Sequence, residues 1–353
     1  MQAPEQRDYF TDLSILKDPY EYFEEIRARG PVCRLADRDV VVVTGFREAL
    51  EVLSNSQDFS SAIAPQGAAA PLPFEPRGDD IGAQIEAHRS QFLGGELLVA
   101  YDDRQHANSR SILSRLFTPS RLKANEAFIT EFADTLVRDA VARGGCELIG
   151  EIATPFVTHV IADLLGVPGD DRKVFMDAIA AGPPPGNMDA EDARQQHGPL
   201  EIMGGYFYHY VTDRRASPRQ DVLTELATAT YPDGSTPDAL EIVRLATFLF
   251  GAGQDTSAKL LGNCMRHIVE VPGLQQQLRQ DRSLIPPFIE EVLRLEGSTK
   301  ATFRLARKNT RIGDVEIPAG TRVMIALAAA NRDPQRWECP RELQLGRDRI
   351  REH

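Results

Sequence analysis

The chain has 353 residues and a formal net charge of −12. That balance argues against a general binder of nucleic acid or of anionic membranes. With no apolar run long enough to span a bilayer, and no signal-peptide pattern at the N-terminus, a cytoplasmic protein is expected.

Asp18-Pro19 opens a short helix predicted over 20–29, which Gly30-Pro31 closes. A hairpin follows, with strands at 32–35 and 40–44 around a turn at Asp37-Arg38-Asp39. Residues 46–53 read as helix. The stretch 60–95 is rich in Pro, Gly and Ala, with one helical stretch near 81–92. A loop of that length inside a compact domain is usually functional or mobile. Helices then dominate, at 105–116, 119–142, 154–165, 170–180, 200–215 and 222–229. A weakly structured insert, with Pro183-Pro184-Pro185-Gly186-Asn187, is expected at 182–198. After a long helix come two more, at 274–279 and 286–295. The chain then turns to short strands at 302–307, 311–312, 315–317 and 321–326. The pattern predicts a mainly α fold with a small β-sheet joining early and late segments. No low-complexity linker divides it, so one large domain is expected. Cys33, Cys146, Cys264 and Cys339 are scattered without metal-ligand spacing, so neither a disulfide framework nor a zinc site is suggested.

The dominant element runs from Thr236-Pro237-Asp238 to Glu270, where Val271-Pro272-Gly273 stops it. Thr236 is expected to cap it, with Pro237 in the first helical position and Asp238 in the first turn, where the dipole favours negative charge. Some 34 residues make a helix about 50 Å long. Its first half is apolar around most of its circumference (Leu240, Ile242, Val243, Leu245, Ala246, Phe248, Leu249, Phe250), which marks a buried helix. Its middle breaks that pattern with Gly251-Ala252-Gly253-Gln254-Asp255-Thr256-Ser257. Each interior glycine costs about 1 kcal/mol relative to alanine, and a buried aspartate needs a partner. The window alone leaves two readings open: a glycine contact with a crossing helix plus a solvated turn, or a built site.

Other constellations are individually weak. His106 and Arg110, four apart, share a helix face and suit carboxylate partners, although a solvated face is the commoner outcome. Glu291 and Arg294 share a face at the end of an apolar helix, so the pair is partly buried and needs further partners. Arg304 lies in a strand. Asn331, Arg332 and Asp333 follow the last strand and are placed to tie loops together. The acid pairs Asp79-Asp80, Asp102-Asp103 and Asp170-Asp171 lack the further acid that a metal-dependent lyase would need. Asp102-Asp103 reads as helix N-terminal charge.

Taken together, Ala252-Gly253-Gln254-Asp255-Thr256-Ser257, Glu291-x-x-Arg294, Arg304, Ala329-Ala330-Asn331-Arg332-Asp333-Pro334, His106-x-x-x-Arg110 and Phe117-Thr118-Pro119 resemble the soluble bacterial cytochrome P450 family over essentially the whole chain. The resemblance implies a single P450-like domain over 1–353 and a haem b (iron protoporphyrin IX) cofactor. It implies a haem-thiolate monooxygenase that inserts one oxygen atom from O2 into an apolar small molecule of terpenoid, steroid or lipid-like type. Ferredoxin and ferredoxin reductase would be the electron partners. Asp255 and Thr256 resemble the family's proton-relaying acid–alcohol pair. Ala252 and Gly253 would leave room over the iron. His106, Arg110 and Arg304 would meet the haem propionates, and Glu291 with Arg294 would be a structural pair holding the meander near the haem. Phe74, Phe248, Ala252, Thr299, Ala301 and Thr302 would face substrate, with 60–95 and 182–198 as lids. The glycine-rich loop with the thiolate cysteine is expected to follow residue 353, so none of the four cysteines is assigned to the metal and the domain is expected to be incomplete at its C-terminus. The alternative expectation is a non-catalytic P450-like shell that binds an apolar ligand.

Overall fold

A computed structural model of the chain describes residues 7–35, 38–68, 70–180 and 197–353. The expected insert at 182–198 lies outside the described residues except for its last two positions, as does Asp37 of the first turn. Among the described residues, contacts sort into two compact units. One holds residues up to 103 together with 263–353, the other 104–180 together with 197–262.

The first unit is built on a five-stranded sheet. Its strands are β1 (Val32–Leu35), β2 (Val40–Val43), β3 (Phe59–Ser60), β4 (Thr302–Ala306) and β7 (Arg322–Ile325), in the order β1-β2-β7-β4-β3. A separate antiparallel pair joins β5 (Thr310–Ile312) to β6 (Val315–Ile317). β2 runs parallel to β7, with Val41 opposite Val323, and β4 runs antiparallel to β7, with Arg304 opposite Val323. The four consecutive valines of β2 are all buried because both sheet faces are covered, which is why the run shows no polar alternation. Val40 and Val42 enter one core with Tyr9, Tyr22, Phe23 and Phe303. Val41 and Val43 enter the other with Ala49, Val52, Phe59 and Ile325.

Helices Tyr20–Arg27 and Phe46–Ser54 form close to their expected bounds. The expected helix at 81–92 shortens to Gly82–Ala87 plus a single 3-10 turn at Arg89–Gln91. In helix Ile285–Glu296, Phe288, Glu291, Val292 and Leu295 are buried at spacings of three and four, so an acid sits in the apolar stripe. At its end, Glu296 accepts from the Tyr20 hydroxyl at 2.5 Å and meets Arg332 at 3.0 Å, Arg266 at 3.2 Å and Lys300 at 3.3 Å. Asn263 Nδ2 donates to the Glu296 carbonyl at 2.6 Å. This cluster fixes the C-terminal turns of the long helix within the first unit.

The second unit is helical. It contains Asp103–Ser114 (whose first residue belongs to the first unit), Pro119–Ala142, Thr154–Leu164, Gly169–Ala180, His197–Ala216, Val222–Ala227 and the long helix as far as residue 262. A π-helical turn at Leu148–Ala153 precedes Thr154–Leu164, where the sequence pattern gave no element. Phe175 is fully buried against the rings of Tyr206, Phe207 and Phe250, at centroid distances of 5.1 to 5.7 Å. No helix among the described residues is long and apolar enough to cross a membrane.

The long helix spans Ala239–Glu270, 32 residues. Its start differs from expectation: Asp238 Oδ1 accepts from the Glu241 amide at 2.7 Å. Asp238 is therefore the cap, and Thr236 and Pro237 lie before the helix. A carboxylate there satisfies an orphan donor and complements the dipole together. Its stop is as expected, with Gly273 at φ +77, a conformation that costs glycine little.

Candidate active site

The N-terminal half of the long helix is buried through Ile242, Val243, Leu245, Ala246 and Phe250. Phe248 and Leu249 are half-buried, and Leu240, expected inside, is exposed. The helix then changes character. Ala252, Asp255 and Thr256 are exposed and, with half-buried Lys259, stand at positions i, i+3, i+4 and i+7. They form one stripe along the axis. Thr256 Oγ1 donates to the Ala252 carbonyl at 2.9 Å. Asp255 Oδ2 accepts from Lys259 Nζ at 2.6 Å.

Gly253 faces elsewhere. A Cβ on it would stand 2.8 Å from Ile161 Cδ1 on helix Thr154–Leu164. Ala258, one further turn along, joins Ala153 and Val157 in a small core. So the glycine that the motif placed over the iron has its missing side chain directed at a crossing helix. Gly262 repeats this against Ile149 Cδ1 at 2.6 Å. Gln254 is buried between these faces.

On helix Asp103–Ser114, His106 and Arg110 are both exposed on one face. Asp102, just before it, does more than face a helix dipole. It is buried and accepts from Ser60 Oγ at 2.5 Å, the Ser61 amide at 2.7 Å and Arg89 Nη2 at 2.9 Å. Asp103 instead accepts from Ser56 Oγ at 2.8 Å and pairs with Arg307 at 2.9 Å.

Arg304, on β4, donates to the Phe303 carbonyl at 2.8 Å and to Thr302 Oγ1 at 3.3 Å. Among the described residues no carboxylate lies within ion-pair distance of it. Burial lowers its pKa from the ordinary arginine value, and the Asp102 carboxylate pulls the other way. A guanidinium withdrawn from water with only neutral acceptors calls for an anion.

Of the other expected site residues, Phe74 packs on His88 at 4.9 Å and Phe92 at 6.2 Å between ring centroids. Phe74 and Ala301 both line the core that contains Phe303. Thr299 is exposed, Thr302 half-buried.

Glu291 and Arg294 do find further partners. Arg294 Nε and Nη2 each reach a Glu291 carboxylate oxygen at 2.8 Å. Arg294 Nη1 also donates to the carbonyls of Asn331 at 2.8 Å and Pro340 at 2.7 Å. The third member, missed in the sequence, is Arg347. Its Nε lies 2.9 Å from Glu291 Oε1, and its Nη1 donates to the Glu338 carbonyl at 2.6 Å. Trp337 sits between Arg294, Arg336 and Arg347, with guanidinium-to-ring distances of 5.5, 4.3 and 5.9 Å. Asp333 Oδ2 accepts from the Phe46 amide at 2.8 Å, so the expected loop-tying role of 331–333 is met.

The profile of one known family, Cytochrome P450, matches residues 200–347. Cytochrome P450 144 of Mycobacterium tuberculosis is 30% identical over 98% of this chain and 78% of its own length. Vitamin D(3) 25-hydroxylase of Pseudonocardia autotrophica is 29% identical over 98% of this chain and 81% of its own length. Among solved structures, Mycobacterium marinum cytochrome P450 CYP150A6 in the substrate-free form superposes with a TM-score of 0.91 at 50% identity, covering 99% of this chain and 82% of that one.

Proposed function

The chain belongs to the cytochrome P450 family, and from that premise we propose that the exposed stripe Ala252-Asp255-Thr256 is the oxygen-facing wall of its haem site. Haem b is the cofactor and the activity is that of a P450 monooxygenase, an oxidoreductase. The residues present fit that group. The propionates supply the anionic charge that the half-buried Arg304 guanidinium, without an ion pair among the described residues, calls for, and the exposed His106 and Arg110 face offers two more donors.

When bound, the haem iron and its thiolate ligand supply the O2 activation that ends with one oxygen atom in the substrate. The chain's own residues bind, shape and deliver protons. His106, Arg110 and Arg304 hold the propionates. Ala252 keeps the wall low, where a larger side chain would occupy the space for oxygen. Gly253 supports this indirectly, by letting the helix settle against Ile161. The Thr256 hydroxyl, held at the Ala252 carbonyl, donates a proton at that wall, and Asp255 replenishes it. Glu291, Arg294 and Arg347 hold the meander from 331 to 347 in place.

The substrate is an apolar small molecule, lined by Phe74, Phe248, Ala252, Thr299, Ala301 and Thr302. The half-buried phenyl rings and small side chains support that class, as does the relative named for hydroxylating vitamin D(3). A ferredoxin with its reductase supplies electrons in the cytoplasm. The observation that carries the reading is an acid and an alcohol exposed side by side just past the buried stretch Ile242–Phe250 of the long helix. The reduced, carbon-monoxide-bound absorption spectrum of the full-length protein tests it. A red-shifted Soret band is expected, and a spectrum without one would sink the haem-thiolate assignment.

A further inference from the structure

Asp255 and Lys259 form an ion pair along the long helix, 2.6 Å from Oδ2 to Nζ. By itself this is an ordinary pair, with side chains 51% and 37% exposed, of a kind that contributes little to stability. Its place makes it more. Lys259 stands on the same stripe as Ala252 and Thr256, one turn past the acid. The order, acid first and base four residues later, is the favourable one relative to the helix dipole. Among the described residues Asp255 Oδ1 accepts no hydrogen bond, so one carboxylate oxygen is anchored and the other is open.

Among the described residues no cation other than Lys259 lies within ion-pair distance of Asp255. Helix Thr154–Leu164 packs at Gly253, about 160° around the axis from Asp255. Its titratable groups are His159, against the Phe132 ring at 4.8 Å, and Asp163, paired with Arg172 at 3.0 Å. Neither lies within ion-pair distance of Asp255. Lys259 is the cation that meets the acid.

We infer that Lys259 is a positioning residue for Asp255: it pins Oδ2 and leaves Oδ1 as the oxygen that exchanges protons at the stripe. This rests on the proposed relay role of Asp255. It concerns which oxygen is presented and how steadily, and assigns Lys259 no proton-transfer step of its own. A lysine meets one carboxylate oxygen, whereas the fork of an arginine favours both, so Lys259→Arg keeps the charge but competes for Oδ1.

The test has a spectroscopic and a kinetic arm on the full-length protein. In proton–nitrogen correlation spectra of the lysine ammonium groups, the Lys259 signal is assigned by its loss in Lys259→Arg. It is expected to move to the free-lysine position in Asp255→Asn. A signal already at that position in the wild-type protein overturns the pairing, whatever the activity. In the haem-loaded enzyme, Lys259→Met is expected to lower the product formed per electron consumed by about twofold, in line with loss of one such pair. KM is expected to stay put, and Lys259→Arg, which keeps the charge but engages both oxygens, is expected to lower coupling as well. Wild-type coupling in Lys259→Met alongside impaired coupling in Asp255→Asn overturns the positioning role while the relay stands. Unimpaired coupling in Asp255→Asn overturns the relay itself, and the positioning role with it.

Discussion

Glu291 and Arg294, three residues apart on one helix, are both fully withdrawn from solvent and joined by two hydrogen bonds of 2.8 Å. Arg347 adds a second guanidinium to the same carboxylate. Two cations share one anion, so the balance is closed by backbone carbonyls from Asn331 to Glu342. Removing the carboxylate leaves both guanidinium groups uncompensated. Breaking a buried pair from one side costs about 3–5 kcal/mol. Glu291→Gln should therefore lower unfolding stability by about that amount in denaturant titration, and Arg347→Met by less, because Arg294 keeps its bidentate contact. A loss below about 1 kcal/mol for Glu291→Gln would show that the meander is held by other means.

Arg304 gives two effects of opposite sign. Its guanidinium is half-buried on neutral acceptors, so Arg304→Gln should leave the haem-free chain no less stable. The same change should weaken haem binding by about tenfold to a hundredfold, the loss of one charge-assisted contact. Haem titration followed by absorbance, beside denaturation of the haem-free protein, checks both. Unaltered haem affinity would remove Arg304 from the propionate set.

Gly253 allows a packing test by double mutation. Gly253→Ala gains about 1 kcal/mol in helix propensity but puts a Cβ 2.8 Å from Ile161 Cδ1. Ile161→Val removes that methyl and alone should cost about 0.5–1.5 kcal/mol. The double variant is expected to be more stable than Gly253→Ala alone, a reversal of the usual sign that thermal unfolding would register. Simple additivity would mean the glycine does not face Ile161 in solution.

His267 sets a pH limb. Its Nε2 is buried without a hydrogen-bond partner among the described residues. Burial lowers its pKa from the ordinary 6.5, while Glu296 pulls it up and Arg266 pushes it down. The unfolded chain therefore takes up this proton at higher pH than the folded one. Stability is fully present above pH 6.5 and is lost as the pH falls from there toward the lowered folded value. Denaturation midpoints recorded between neutral pH and pH 5 should decline, and His267→Gln should flatten part of that decline. An unchanged slope in the variant would assign the limb to other groups, such as His159, which burial shifts in the same direction.

Much of the helical frame was legible because it is local. The long helix, its stop at Val271-Pro272-Gly273 and the strand bounds at Val32–Leu35 and Val315–Ile317 follow from periodicity and turn chemistry. The cap of the long helix falls at Asp238 and not at Thr236, because both side chains can cap and the Asp238–Glu241 bond decides. What escaped was non-local. Nothing near Arg347 in the chain announces that it meets Glu291, 56 residues earlier. The need of a buried Glu291–Arg294 pair for further partners is the available hint. The parallel pairing of β2 with β7 has no local signature either. Gly253 shows the converse: the motif suggested chemistry, and the direction of its absent side chain suggests packing. On the same helix, Asp255 and Thr256 fall on the exposed stripe beside Ala252.

The most direct test of that relay is the ratio of product formed to electrons consumed in the haem-loaded full-length protein carrying Thr256→Ala. The hydroxyl bonded to the Ala252 carbonyl would be gone, with the helix and the haem contacts unaltered. Wild-type haem content and a several-fold fall in that ratio are expected, with the missing electrons appearing as reduced oxygen. Wild-type coupling in this variant would contradict the relay and place the proton path elsewhere.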